Sequence, residues 1–212
     1  MYNPPKFCEE RPELWLDLVR SFPFATLITT AENELHISHV PVIVEVAPTS
    51  GSGFRVHGHL ARANSHFRAL ADAHPSVMVF QGPHGYVSPS WYTTRPAVPT
   101  WNYAVAHLHG RARTVDAFAT HEILRKLVER FESGRREPWS GDLPTEFLQA
   151  ELQAIVGFEL DVERIEAKFK LSQNKSAADR DGALAGLERE GDFRSLELAQ
   201  FMKRALAGRI AD

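Results

Sequence analysis

Hydrophobic positions along the chain change period several times, and each change marks an element. Leu14, Trp15, Leu18, Val19 and Phe22 recur at helical spacing behind Pro12, which suits the first position of a helix, and Pro23 ends the run. Phe24–Thr30 is apolar and β-branched, so it reads as a strand, and Ala31–Glu34 turns the chain. In LHISHVPVIVEV the apolar phase begins on odd positions, Leu35 and Ile37. It reappears on even ones, Val40, Val42, Val44 and Val46. That slip predicts a bulge near His39–Pro41, a place where Pro41 is tolerated. PTSGSG reads as a loop and FRVHGHL as the next strand. ARANSHFRALADAHP holds a short helix with Asn64 as its N-cap and Pro75 beyond its end, and SVMVFQG is a further strand.

From Trp101 to Val115 the period is two over a long run. The odd positions are Trp101, Tyr103, Val105, His107, His109, Arg111 and Arg113, while the even ones are mostly small, with Ala104, Ala106, Gly110 and Ala112. A face of small residues lets another backbone approach closely, as barrel closure or a subunit contact requires. Helical segments are expected near 117–133 and 144–153. AIVGFELDVERIEAKFKL then alternates with one slip near Arg164, a second expected bulge. Ser176 and Asp179 resemble a capping pair, and Gly191–Asp192 separates that helix from a last one in which Leu198, Met202, Ala205 and Leu206 share a face. About six or seven strands with helices at both ends predict an α+β barrel, mostly antiparallel, rather than a doubly wound sheet. The expected organisation is one domain over 1–212 with a C-terminal helical extension over about 176–207.

Composition narrows the function classes. A chain of 212 residues, 43% hydrophobic and 24% charged, can bury an ordinary globular core. Its formal charge of −3 does not favour polyanions, so DNA binding is possible but not supported by charge. The single cysteine, Cys8, excludes an intramolecular disulfide framework and a cysteine-based zinc site. No apolar run reaches membrane-spanning length and MYNPPKFCEERPELW is no signal peptide, so a cytoplasmic location is expected.

Several constellations carry chemistry. His57-x-His59 and His107-x-His109 each place two rings on one strand face, as metal ligands require. No acidic residue lies in the ten positions after His59, so hydrogen-bonded or stacking histidines are expected and no metal is assigned. Ser172-Gln-Asn-Lys175 matches S-x-x-K but lacks its companion motifs, and no catalytic residues are assigned. Arg62 and Asn64 flank an expected helix N-terminus, a place that favours a phosphate. A second cationic group, Lys168, Lys170 and Lys175, sits where the last strand meets a helix. The segment GPHGYVSPSWYTTRPAVPTWNY adds two tryptophans and three tyrosines. Flat side chains, cations and polar Asn102, Gln173 and Asn174 together suit a planar heterocycle carrying a phosphate.

MYNPPKF, GPHGYVSPSWY, PTWNYAVAHLHG, AIVGFELDVERIEAKFKLSQNKSAADR and a late GL…GD linkage resemble the PaiB-type FMN-binding negative transcriptional regulators, in collinear order over nearly the whole chain. The resemblance implies a split β-barrel related to pyridoxamine-phosphate-oxidase-like proteins and a homodimer with FMN at the subunit interface. It also implies repression of sporulation and protease genes. A flavin-dependent oxidoreductase acting on a small molecule is the alternative, since flavin carries its own chemistry. Residue by residue, the resemblance implies cofactor-binding roles for Ser38 and His39 on the strand lining the site, and for Arg62 and Asn64 in HLARAN. It implies the same for Trp91, Trp101 and Asn102 in the aromatic segment, and for Lys170, Gln173 and Asn174 in KFKLSQN. The turn at Ala31–Glu34 lacks the glycine common at such hairpins, and Ser65 stands where a proline often follows ARAN.

Overall fold

A computed structural model describes residues 1–47 and 51–207; Pro48, Thr49 and Ser50 of the expected PTSGSG loop lie outside the described residues. The helix α1 (Pro12–Ser21) starts on its proline and buries Trp15, Leu18 and Val19. Six strands follow: β1 (Phe24–Ala31), β2 (Glu34–Val46), β3 (Phe54–Ala61), β4 (Pro75–Val87), β5 (Thr100–Thr114) and β6 (Ile155–Lys170). Between them lie α2 (His66–Ala69), α3 (Ala117–Glu132) and α4 (Thr145–Gln153), and α5 (Ala177–Glu190) and α6 (Phe193–Leu206) end the described chain. The strands hydrogen-bond in the closed order β1–β2–β3–β6–β5–β4, and β1 pairs antiparallel with both β2 and β4. The architecture is the α+β barrel that the periodicity predicts.

Residue contacts divide the chain into two compact units. One comprises Met1–Ser21, Gln81–Ala106 and Glu166–Asp212, the other Phe22–Phe80 and His107–Ile165. In the second unit, Leu27, Val42, Val56, Phe80, Leu108, Phe158 and Leu160 face a common core. There the small-residue face of β5 has its reason: a Cβ on Gly110 would lie 2.0 Å from the Asp161 carbonyl oxygen, so only glycine lets β6 come so near. In the first unit, α6 packs Leu198, Phe201 and Met202 inward, and Phe201 meets Phe169 edge-on at 5.4 Å.

Three expectations need correction. β2 has no bulge at His39–Pro41, because its register with β1 runs unbroken from Ala31↔Glu34 to Phe24↔Pro41. The even positions Ser38, Val40 and Val42 are buried, and Leu35 and Ile37 stand exposed on the outer face. Pro41 sits where β2 leaves β1, since pairing with β3 begins at Val42. Strand β4 does not stop at Gly82 but continues through GPHGYV to Val87. Asn64 is not the N-cap of α2; Ser65 holds that position. By contrast, the burial pattern of β6 changes from even to odd positions across Glu163–Arg164, where the slip was expected.

Candidate functional site

The ten residues singled out from the sequence fall into both units. In the second, Ser38 on β2 points inward and is buried. Its Oγ lies 2.8 Å from His66 Nδ1 and accepts a hydrogen bond from Asn64 Nδ2 at 3.0 Å, while the His66 backbone N–H donates to Asn64 Oδ1. His66 also stacks on His36 at 5.6 Å. Burial, reinforced by His36, pushes its imidazole down to about 4, so the ring is neutral near neutral pH. His39 lies on the opposite face of β2, exposed, with its Nδ1 2.9 Å from Thr26 Oγ1. Neighbouring strand residues alternate, so Ser38 and His39 are not brought to one face.

Arg62 is anchored rather than free: its Nε and Nη2 donate to the carbonyls of Gln153 and Ile155 at 2.8 and 2.9 Å. The guanidinium borders a cleft of about 270 Å³ that Phe67, Thr114 and Leu152 also line. The helix beside it, α2, has only four residues, so it has little dipole to offer an anion. Of the histidine pairs, His57 Nε2 lies 3.2 Å from Glu45 Oε2, and the His107 and His109 rings lie 6.2 Å apart.

The other six residues belong to the first unit, where they play different parts. Trp91 packs its indole into a notch on α5: a Cβ on Gly186 would lie 2.1 Å from Trp91 Cδ2, and one on Gly182 2.1 Å from the Trp91 carbonyl oxygen. Asn102 is fully buried, its amide donating to Ser172 Oγ at 2.9 Å and to Met202 Sδ at 3.5 Å. Gln173 folds back onto the end of β6, accepting from the Leu171 N–H and donating to the Phe169 carbonyl. The left-handed φ of 64° at Ser172 makes that return possible. Trp101, next to Asn102 but on the outer face, is 54% exposed, and Tyr86 meets it edge-on at 6.3 Å. Lys170 donates to Thr100 Oγ1 and to the Trp101 carbonyl, the latter at 2.9 Å. Asn174 is exposed. Thus Trp101 and Asn174 are exposed and Lys170 is half-buried, while Trp91, Asn102 and Gln173 are held by contacts within the unit.

Two residues have partners that the sequence did not show. Asp179 was visible as half of a capping pair, and Ser176 Oγ does accept from the Asp179 N–H. Its carboxylate turns elsewhere, accepting from Thr93 N–H, Thr93 Oγ1 and Thr94 N–H at 2.7, 2.9 and 3.0 Å. Those donors hold its carboxyl far below the usual carboxylate range. His66, the buried partner of Ser38, had no signal beyond lying two residues after Asn64.

The profile of a family described as "Putative FMN-binding domain" matches residues 1–164. The Bacillus subtilis (strain 168) protein named "Protease synthase and sporulation protein PAI 2" is 32% identical over 212 residues, covering 99% of this chain and 100% of its own. An uncharacterized Emericella nidulans protein is 29% identical over 230 residues, covering 90% of this chain and 92% of its own. Among solved structures, the FAD and heme binding protein from Mycobacterium smegmatis shares the fold, with a TM-score of 0.61 at 18% identity over 83% of this chain and 79% of that one.

Proposed function

The chain belongs to the PaiB-type FMN-binding family, and we propose that it is a flavin-binding negative regulator of the sporulation and protease type, working as a homodimer. The full-length match to the Bacillus subtilis relative carries this reading. The family profile ends at residue 164, whereas that relative's match extends through KFKLSQN and the two last helices. FMN is the cofactor that the membership assigns, and bound flavin supplies one- and two-electron transfer.

The residues present fit a planar, anionic group. Trp101 and Tyr86 offer exposed aromatic faces, and Lys170 donates to the Trp101 backbone carbonyl. Arg62, fixed by two carbonyls, keeps Nη1 for a ligand, and Asn64 and Ser38 hold their own geometry through mutual hydrogen bonds. A homodimer is supported by the outer face of β1 and β2, where Phe24, Leu35 and Ile37 are 68%, 66% and 58% exposed. Exposed large apolar side chains on one sheet face call for a partner, and a second copy supplies the same face. With a formal charge of −3, regulation is expected to run through the flavin state or a partner rather than through general attraction to DNA.

Purified protein is expected to show the visible absorbance of flavin, or to acquire it when titrated with FMN. Trp101→Ala is expected to weaken FMN by about tenfold, the loss of one stacking contact. Colourless protein that binds no added FMN would remove the cofactor from the proposal.

A further inference from the structure

We propose that His57 and His59 form an acid-sensitive latch beneath α3, holding that helix on the second unit's strands while both rings are neutral and releasing it when they take up protons. Val56, Gly58 and Leu60 occupy the core side of β3, so His57 and His59 stand on its outer face. The helix α3 lies across that face. It packs on β3 and β2 and buries Thr120, Ile123 and Leu127. Its Thr120 Oγ1 accepts at 3.1 Å from the N–H of Gly157, the residue paired with His59 between β3 and β6. Nδ1 of both rings is buried there without a hydrogen-bond partner. A lone pair left bare costs less than a bare charge. Protonation would make each Nδ1 an N–H with no acceptor, on a ring now charged and largely out of water.

His57 also ties the helix down. Its Nε2 lies 3.2 Å from Glu45 Oε2 on β2, so the neutral ring carries its proton there, and Lys126 Nζ of α3 donates to the same oxygen at 2.6 Å. The charged groups that face His57 are Glu45 from β2, Glu159 from β6, Arg55 from β3 itself and Lys126 from α3. They stand in pairs, Lys126 on Glu45 and Arg55 on Glu159, so each acid already has its counter-charge. Burial therefore decides, and it pushes His57 below its ordinary value; burial alone does the same to His59. Above about pH 6.5 the histidines are neutral whether α3 is docked or detached, and docking is complete. As pH falls below that value, the detached form takes up protons that the docked form refuses, and docking weakens. Ala117 and Thr120 of α3 line the cleft beside Arg62, so release opens that cleft.

The latch does not rest on the flavin reading, and protein that binds no FMN can still show it. Amide hydrogen exchange of the full-length protein at about pH 7.5 and about pH 5.5, corrected for intrinsic rates, tests it. Protection across α3 is expected to fall about tenfold at the lower pH, while protection of the β1–β2 hairpin holds. His59→Phe fills the ring's space without titrating, and His57→Gln keeps a donor for Glu45. Each is expected to shrink the pH difference, and the two together to abolish it. His74→Gln, at a ring 34% exposed, leaves the difference unchanged. Protection of α3 that ignores pH, a loss shared equally by the hairpin, or a loss that survives both variants overturns the latch. Should the variants fail to fold, the wild-type imidazole signals in NMR decide. Ring protonation that tracks the loss of α3 protection supports the latch; both rings protonating while α3 stays protected overturns it.

Discussion

Asp179 shows how far a side chain's neighbours can differ from those its sequence position advertises. It sits in the first turn of α5, where a carboxylate complements the helix dipole, and its Oδ1 accepts three hydrogen bonds from the Thr93–Thr94 segment. Asp179→Asn keeps the shape but loses the charge, so the melting temperature is expected to fall and protease cleavage within residues 88–99 to rise. The pH dependence has a definite sign. A carboxyl held below its ordinary value stabilises fully above about pH 4, where the unfolded chain has already ionised, and loses that contribution as acid protonates the folded form. The difference in melting temperature between wild type and Asp179→Asn should therefore be constant near neutrality and shrink in strong acid. Trp91 makes a second residue-scale case. Gly186→Ala forces a methyl group into its indole, with an expected cost of about 1–3 kcal/mol by urea denaturation and a shift in tryptophan emission.

At the scale of elements, the β1–β2 hairpin is the informative one. Its two-residue turn puts Glu32 and Asn33 at φ of 52° and 63°, a pair of left-handed positions that Asn and Gly fill with least strain. The double change Glu32→Asn, Asn33→Gly is expected to stabilise the protein by about 1 kcal/mol, read from the midpoint of a urea transition. The outer face of the same hairpin explains the misplaced bulge. Alternation signals a strand when one face is polar, but β2 is apolar on both: Val40 and Val42 face the core, Leu35 and Ile37 face outward. Two apolar faces mimic a change of phase. Ile37→Glu places a charge on that outer surface, and sedimentation is expected to find the wild type dimeric and the variant monomeric; a monomeric wild type would remove the proposed dimer, and a dimeric variant would move the interface elsewhere.

For the whole molecule, length, periodicity and the long collinear motifs lead to an α+β barrel of the PaiB-type FMN-binding family, and no helix among the described residues is long and apolar enough to cross a membrane. Elements were legible because each rests on a local rule: Pro12 opens α1, Ser176 caps α5, Gly191 takes the left-handed position behind it with a φ of 69°, and β6 changes phase at Glu163–Arg164. The candidate site was legible only as a set of residue types. Sequence motifs gather Ser38 with His39 and Trp101 with Asn102, but strand geometry sends the members of each pair to opposite faces. Only the tertiary structure decided that Asn102 lies against Met202 while Trp101 meets solvent, that Arg62 is bound by carbonyls, and that Lys168 is buried with its ammonium on the Tyr2 carbonyl. The physical reason is range. Caps, turns and periods are set by residues within a few positions of one another, whereas burial and charge pairing depend on groups brought together from distant parts of the chain.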